Sequence, residues 1–152
     1  MTAPSHVAVA NLLYRYAELM DLGQFEGAAE LFADARILLD SRHDVSTDAA
    51  GVLAIWIRDV IRYPDGTPRT KHVTTNAIID VDEATGTATS RSYYTVFQQT
   101  DDLPLQPIVA GRYHDRFARR DDRWYFTERD YSLVDLIGDL SHHLRRPIER
   151  RG

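Results

Sequence analysis

The chain has 152 residues, of which 43% are hydrophobic and 27% charged, and its formal net charge is −5. This length and composition predict one soluble globular domain, and the acidic balance gives no electrostatic reason to bind nucleic acid or an anionic membrane. The absence of cysteine excludes disulfides, thiolate chemistry and cysteine-based zinc sites.

Two helices are predicted at the start of the chain. Ser5 is the expected N-cap of the first, and apolar residues then recur at helical spacing until Asp21-Leu-Gly23 ends the helix. A second, short helix is expected over about residues 25–32, and a brief strand over residues 35–39. Asp21 is thereby placed at the end of an amphipathic helix.

A third helix is predicted to begin after Asp48, as N-cap, and to reach about Arg62. Residues 63–68, with two prolines and a glycine, are expected to form a loop. The buried candidates in this helix are Val52, Ile55, Trp56 and Ile61.

The rest of the chain is predicted to be strands, over residues 69–81, 87–100, 108–119 and about 124–134. In the strand over residues 69–81, successive side chains are expected to point to opposite faces of the sheet. One face is predicted to carry Val73, Thr75, Ala77, Ile79 and Val81, and the other His72, Thr74, Asn76 and Ile78. Helices followed by a meander of long antiparallel strands predict an α+β fold, in which three N-terminal helices pack across one curved sheet to form a cone. A small ligand would bind in its mouth.

This order of elements resembles the SnoaL-like branch of the nuclear transport factor 2 superfamily, which includes scytalone dehydratase, bile-acid 7α-dehydratase and the small subunits of ring-hydroxylating dioxygenases. The segments that carry the resemblance are residues 14–26 with 29–33, Arg69-Thr-Lys-His-Val-Thr-Thr-Asn76, Gly111-Arg-Tyr-His-Asp-Arg-Phe117 and Ile137-Gly-Asp-Leu-Ser141. The resemblance covers nearly the whole chain. It is more specific for the fold than for any one reaction, because the superfamily includes dehydratases, isomerases, cyclases and proteins without catalytic activity.

The resemblance implies three catalytic residues. Asp21 falls where the dehydratases keep an aspartate, His72 matches the histidine after Arg-Thr in the scytalone dehydratase pattern, and Tyr16 matches a tyrosine of the bile-acid enzyme. Two positions depart from scytalone dehydratase, since Met20 replaces a tyrosine and Gln98 stands about where a second catalytic histidine would be. Scytalone itself is therefore not the expected substrate.

The chemistry of water elimination from a carbonyl compound suits these residue types. The reaction needs a base for the α-proton, a donor for the developing enolate and an acid for the departing hydroxyl. Histidine titrates near neutral pH, so His72 is the candidate base and Asp21 the carboxylate that orients its ring. Tyr16 is a candidate donor to the carbonyl oxygen. Alternatively, the protonated His72 returns its proton to the leaving group, so that one residue serves twice. No metal or organic cofactor is required.

A hydrophobic, oxygenated small molecule of polyketide, steroid or terpenoid type is the predicted substrate. The residues predicted to bind it are Tyr14, Trp56, Tyr94, Gln98 and Tyr113.

Tyr93 and Tyr94 are adjacent on a strand and must point to opposite faces. His114 is expected on the exposed side or at an interface, and the His142-His143 pair lacks the nearby third ligand that a zinc site needs.

Simpler interpretations stay open at each residue. Asp21 is also a common residue in the turn that ends a helix, His72 is compatible with hydrogen bonding in a polar core, and Tyr16 with packing on an apolar helix face. At the level of function, a cofactor-independent lyase or isomerase, a non-catalytic partner subunit and a ligand-binding protein are the three hypotheses. The first is favoured because assembly alone does not require these three residues together.

The predicted domain covers residues 1–144, and residues 145–152, with four arginines, are expected to form a basic flexible tail. The first residues do not resemble a signal peptide and no apolar run is long enough to cross a membrane, so a cytoplasmic location is expected. Apolar and aromatic residues on the outside of an open sheet predict a homodimer packed through that sheet.

Overall fold

The computed structural model describes residues 2–148. Its helices are α1 (Ser5–Asp21), α2 (Phe25–Glu30) and α3 (Ala49–Asp59). Its strands are β1 (Arg36–Asp40), β2 (Val45–Thr47), β3 (Thr70–Asp82), β4 (Thr87–Thr100), β5 (Leu103–Arg120), β6 (Arg123–Asp130) and β7 (Val134–Ile137). The predicted α+β class, with helices followed by long antiparallel strands, is confirmed.

One of the two predicted helix caps is confirmed. The carboxylate of Asp48 accepts a hydrogen bond from the backbone N–H of Gly51 at 2.9 Å, which begins α3 as expected. Ser5 is not an N-cap but the first helical residue, because Pro4 occupies the cap position and offers no side-chain hydrogen bond. The third helix ends at Asp59, earlier than predicted, since Val60 turns to extended backbone and bridges to Leu144.

The strands form one curled sheet in the order β2-β1-β6-β5-β4-β3, and β7 also pairs with β5. All pairings are antiparallel except that of β1 with β6. The strand predicted over residues 108–119 begins earlier, because β5 starts at Leu103. The last predicted strand, expected to reach about Val134, ends at Asp130, and a further strand, β7, begins at Val134.

The predicted faces of β3 are wrong beyond Thr75. A bulge interrupts the register between Thr75 and Ile78, and Asn76 adopts a positive φ of 41° there. One extra residue in a strand moves every following side chain to the opposite face. Ala77, Ile79 and Val81 therefore share the core side with His72, and Ile78 is exposed.

The helices cover the concave side of the sheet, and the core lies between them. Its largest fully buried apolar side chains include Leu13, Tyr16, Phe25, Phe32, Ile37, Ile108, Phe117 and Phe126. None of the helices within residues 2–148 has the length and apolar character that a membrane crossing requires.

The first part of the predicted tail lies against α3. The backbone N–H of Arg145 donates to the carbonyl of Asp59 at 2.8 Å, its guanidinium donates to the carbonyl of Val60 at 2.9 Å, and Arg146 lies 3.5 Å from the Asp59 carboxylate. Residues 149–152 lie outside the described residues.

Candidate active site

Asp21 is positioned by the end of α1. Gly23 follows it with a φ of +71°, and a Cβ at this glycine would stand 2.1 Å from the carbonyl oxygen of Gly66. Only glycine therefore fits this close left-handed turn, which ends the helix with Asp21 facing β3. The Asp21 side chain is 9% exposed.

His72 lies on β3, an edge strand whose outer N–H groups have no neighbouring strand within residues 2–148. Its backbone N–H instead donates to Oδ2 of Asp21 at 2.8 Å. The other carboxylate oxygen, Oδ1, lies 2.6 Å from Nδ1 of the same histidine and accepts the hydroxyl of Thr70 at 2.8 Å. One carboxylate thus completes the sheet edge and orients the ring.

The contact with Asp21 determines which ring nitrogen of His72 carries the proton and which carries the lone pair. A carboxylate only accepts hydrogen bonds, so Nδ1 must carry the proton that it donates to Asp21. In a neutral ring the lone pair then lies on Nε2. The His72 side chain is 8% exposed and lies in the wall of a cavity.

This cavity has a volume of about 320 Å³ and lies between the sheet, α3 and the last described residues. Aromatic and aliphatic side chains dominate its wall, which is typical of a pocket for a small apolar molecule. The part of the wall contributed by the helices and sheet includes Met20, Ile55, Trp56, Tyr94, Val96, Val109 and Tyr113.

Tyr131, in the break between β6 and β7, also lines the cavity. Its hydroxyl oxygen receives two hydrogen bonds, from Nε1–H of Trp56 and from the hydroxyl of Tyr16, each at 3.3 Å. A hydroxyl has two acceptor positions and one proton. With both acceptor positions occupied, the proton of Tyr131 is left to donate to another group.

A buried ion pair lies under these tyrosines. Arg129 donates to both oxygens of Asp115, at 2.7 and 3.0 Å, and its guanidinium lies 3.9 Å from the ring centre of Tyr113 and 4.4 Å from that of Tyr16. Burial raises the pKa of Asp115, against the attraction of Arg129. Burial likewise raises the pKa of Tyr16, so this phenol remains a donor at neutral pH.

His143 brings a second imidazole to the cavity. The residue is 8% exposed, and its Nδ1 has no hydrogen-bond partner among residues 2–148. Burial lowers its pKa to about 4, with a smaller contribution from the charge of His72. His143 is therefore neutral at physiological pH.

The residues predicted to bind substrate are divided by the structure. Trp56, Tyr94 and Tyr113 line the cavity. Tyr14 is 50% exposed and borders a surface depression between α1 and β3. Gln98 is buried beside the cavity, where its amide donates to the carbonyls of Pro68 and His142, each at 3.0 Å.

Tyr131 and His143, the cavity residues whose polar groups are described above, were not predicted as site residues. Tyr131 follows a strand whose break between residues 130 and 134 gave no clear sequence signal. For His143, the available signal is the i, i+4 spacing of Leu140 and Leu144 beside it, which is typical of a buried turn of chain. Within residues 2–148, no group of three or more histidines and carboxylates is placed to hold a metal ion.

Comparison with known proteins agrees with this architecture. The sequence pattern of the SnoaL-like domain matches residues 1–130. The chain belongs to the SnoaL-like domain family. A search of curated proteins found no match.

Solved structures show the same fold at low identity. A variant of Rv3472 from Mycobacterium tuberculosis, of unknown function, is 24% identical with a TM-score of 0.66 over 86% of this chain and 72% of that one. A candidate scytalone dehydratase from Novosphingobium aromaticivorans is 22% identical, with a TM-score of 0.65 over 86% and 84% of the chains. The beta subunit of a candidate aromatic-ring-hydroxylating dioxygenase from the same organism is 18% identical, with a TM-score of 0.65 over 86% and 89%. This SnoaL-like chain therefore shares its fold with a protein named as a dehydratase and with one named as a dioxygenase subunit.

Proposed function

We propose that this SnoaL-like protein is a cofactor-independent lyase or isomerase, dehydratase-like in mechanism, that acts on a hydrophobic oxygenated small molecule of polyketide, steroid or terpenoid type. The observation that carries the proposal is the placement of His72 in the wall of an apolar cavity, with Nδ1 held by the buried carboxylate of Asp21. A ring nitrogen in an apolar pocket, with no hydrogen-bond partner among residues 2–148, is an arrangement that suits a general base.

In the proposed reaction, Nε2 of His72 takes the proton on the carbon next to a substrate carbonyl. The C–H bond breaks, an N–H bond forms, and the electron pair moves into an enolate. Asp21 stabilises the imidazolium through its bond to Nδ1. The imidazolium then returns the proton, either to a departing hydroxyl, which leaves as water, or to another carbon, which gives an isomer.

Tyr131 is the proposed donor to the enolate oxygen, because its proton is the one that the Tyr16 and Trp56 bonds leave unused. Tyr16, which the sequence suggested for this role, then acts through Tyr131 as a positioning residue. Donors held in place before the reaction stabilise developing negative charge more effectively than water does.

The experiment is hydrogen exchange in D₂O with 1-tetralone, an aromatic ketone of a size that suits the cavity. Wild-type protein should catalyse deuterium incorporation at the carbon next to the carbonyl, followed by NMR, and His72→Gln should abolish it. A panel of β-hydroxy ketones then tests elimination. Tight binding of the ketone without exchange would favour a ligand-binding protein instead.

A homodimer is also proposed. Val73, Ile78, Tyr93 and Leu136 are exposed on the strands of the sheet, and a free monomer would leave them in water. Sedimentation equilibrium should show a species of twice the chain mass, which Tyr93→Glu should weaken. A single-chain species alone contradicts the dimer, while co-sedimentation with a dioxygenase large subunit would favour the role of a partner subunit.

A further inference from the structure

His143 is a buried polar residue of the cavity wall whose side chain lacks hydrogen-bond partners among the described residues. Neither ring nitrogen is hydrogen-bonded to a described residue. Nδ1 is enclosed by protein, so Nε2 is the ring nitrogen that a ligand in the cavity can reach. Leaving a buried polar atom unpaired costs about 1–3 kcal/mol. A leucine at this position would avoid that cost, so the imidazole is not explained by packing.

The backbone around His143 is held firmly in place. The carbonyl of His143 accepts the N–H of Ile61 at 2.8 Å, which ties the turn to the end of α3. The carbonyl of the preceding His142 accepts the hydroxyl of Tyr63 at 2.7 Å and the amide of Gln98 at 3.0 Å. A turn fastened at successive residues positions its side chains more precisely than a free loop does.

We propose that His143 is the residue of this cavity that hydrogen-bonds a hydroxyl substituent of the ligand. The inference rests on the proposed function, in that it narrows the substrate class to molecules with a hydroxyl group within reach of a second imidazole beside His72. Gln98, which stands about where scytalone dehydratase has its second catalytic histidine, is a positioning residue that holds the turn carrying His143.

Neutrality suits this role. A neutral imidazole offers one N–H and one lone pair, so it can donate to the oxygen of a hydroxyl or accept its proton. Its lowered pKa keeps it uncharged near His72, so binding a neutral hydroxyl requires no change of protonation. No proton transfer is assigned to His143.

The test compares naphthalene with 2-naphthol, a pair that differs by one hydroxyl, in calorimetric binding to the full-length protein. The wild type should prefer 2-naphthol, and His143→Leu should reduce the ratio of the two dissociation constants by about 2- to 10-fold, as expected for one hydrogen bond. The matched control is His142→Ala at the adjacent residue, which should keep the ratio.

A second measurement covers the case in which His143→Leu does not fold. The ring ¹⁵N resonances of His143 in the wild type, assigned through His143→Gln, should move on addition of 2-naphthol and much less with naphthalene. The proposal is overturned if these resonances do not respond, if the preference survives in His143→Leu and disappears in His72→Leu, or if neither probe binds.

These outcomes are separate from those of the proposed function. Deuterium exchange into 1-tetralone without any preference for 2-naphthol would remove only the role of His143. A preference that depends on His143, in a protein that exchanges no proton, would leave a hydroxyl-binding pocket and remove the acid/base function.

Discussion

Asp21 binds His72 through both of its carboxylate oxygens, one on the backbone N–H at 2.8 Å and the other at 2.6 Å from ring Nδ1. The first bond substitutes for a missing neighbouring strand, and the second orients the imidazole. A single side chain therefore links the position of the strand to the orientation of its histidine. Because each oxygen has its own partner, a substitution that changes only the charge of the side chain separates the two effects.

Asp21→Asn should disturb the histidine tautomer more than the fold. An amide can still accept the backbone N–H, but it no longer supplies the charged acceptor that favours Nδ1–H. Long-range ¹⁵N–¹H NMR should show a defined Nδ1–H ring for His72 in the wild type and a mixture in the variant. Exchange into 1-tetralone should fall by about 10² to 10⁴. An unchanged tautomer with unchanged exchange would contradict the assignment of Asp21 as orienter.

Tyr131→Phe should lower the exchange rate by about 10², the usual loss when one donor to a developing oxyanion is removed. Tyr16→Phe should cost less, because its hydroxyl reaches the cavity only through Tyr131. The infrared C=O stretch of bound 1-tetralone should lie at lower frequency in the wild type than in Tyr131→Phe. If Tyr16→Phe has the larger effect on both readouts, the two roles must be exchanged.

The free energy of unfolding should decrease as the pH is lowered, and His143 should account for part of this decrease. Its pKa is lowered to about 4 by burial, whereas the unfolded chain has an ordinary histidine near pH 6.5. Between these values the unfolded state binds the extra proton, so this contribution to stability is complete above about pH 6.5 and is lost as the pH falls to about 4. The difference corresponds to about 3 kcal/mol.

Urea unfolding across this pH range is the corresponding measurement. His143→Leu should flatten the decline relative to the wild type, while His142→Ala should leave it unchanged. Parallel profiles for the wild type and His143→Leu would show that His143 is not buried in its neutral form.

Removing one partner of the Arg129–Asp115 pair should lower the free energy of unfolding more than replacing both partners by apolar residues. Both side chains are almost fully buried, so Arg129→Met leaves an unpaired carboxylate and should destabilise the fold by about 3–5 kcal/mol. Arg129→Met combined with Asp115→Leu should recover a large part of that loss. Urea unfolding of the single and double variants provides the check, and simple additivity of the two losses would contradict a coupled pair.

Local sequence signals were sufficient for much of the fold. The spacing of apolar residues predicted the three helices, the Asp48 cap was correct, and strand β4 has the predicted bounds Thr87–Thr100. These features depend on neighbouring residues and on helical or strand periodicity. The bulge at Asn76 was not predictable in this way, because the residues just before it show no clear apolar–polar alternation whose phase could be compared with that of the residues after it.

The sequence by itself determined an α+β domain with an aspartate at a helix end and a histidine on a strand. Only the tertiary structure decided that Asp21 meets His72, which are 51 positions apart, and that Tyr131 and His143 reach the same cavity. Periodicity reports which face of an element is buried. It contains no information about which buried faces meet, since that depends on sheet order, edge position and the path of the chain after β7.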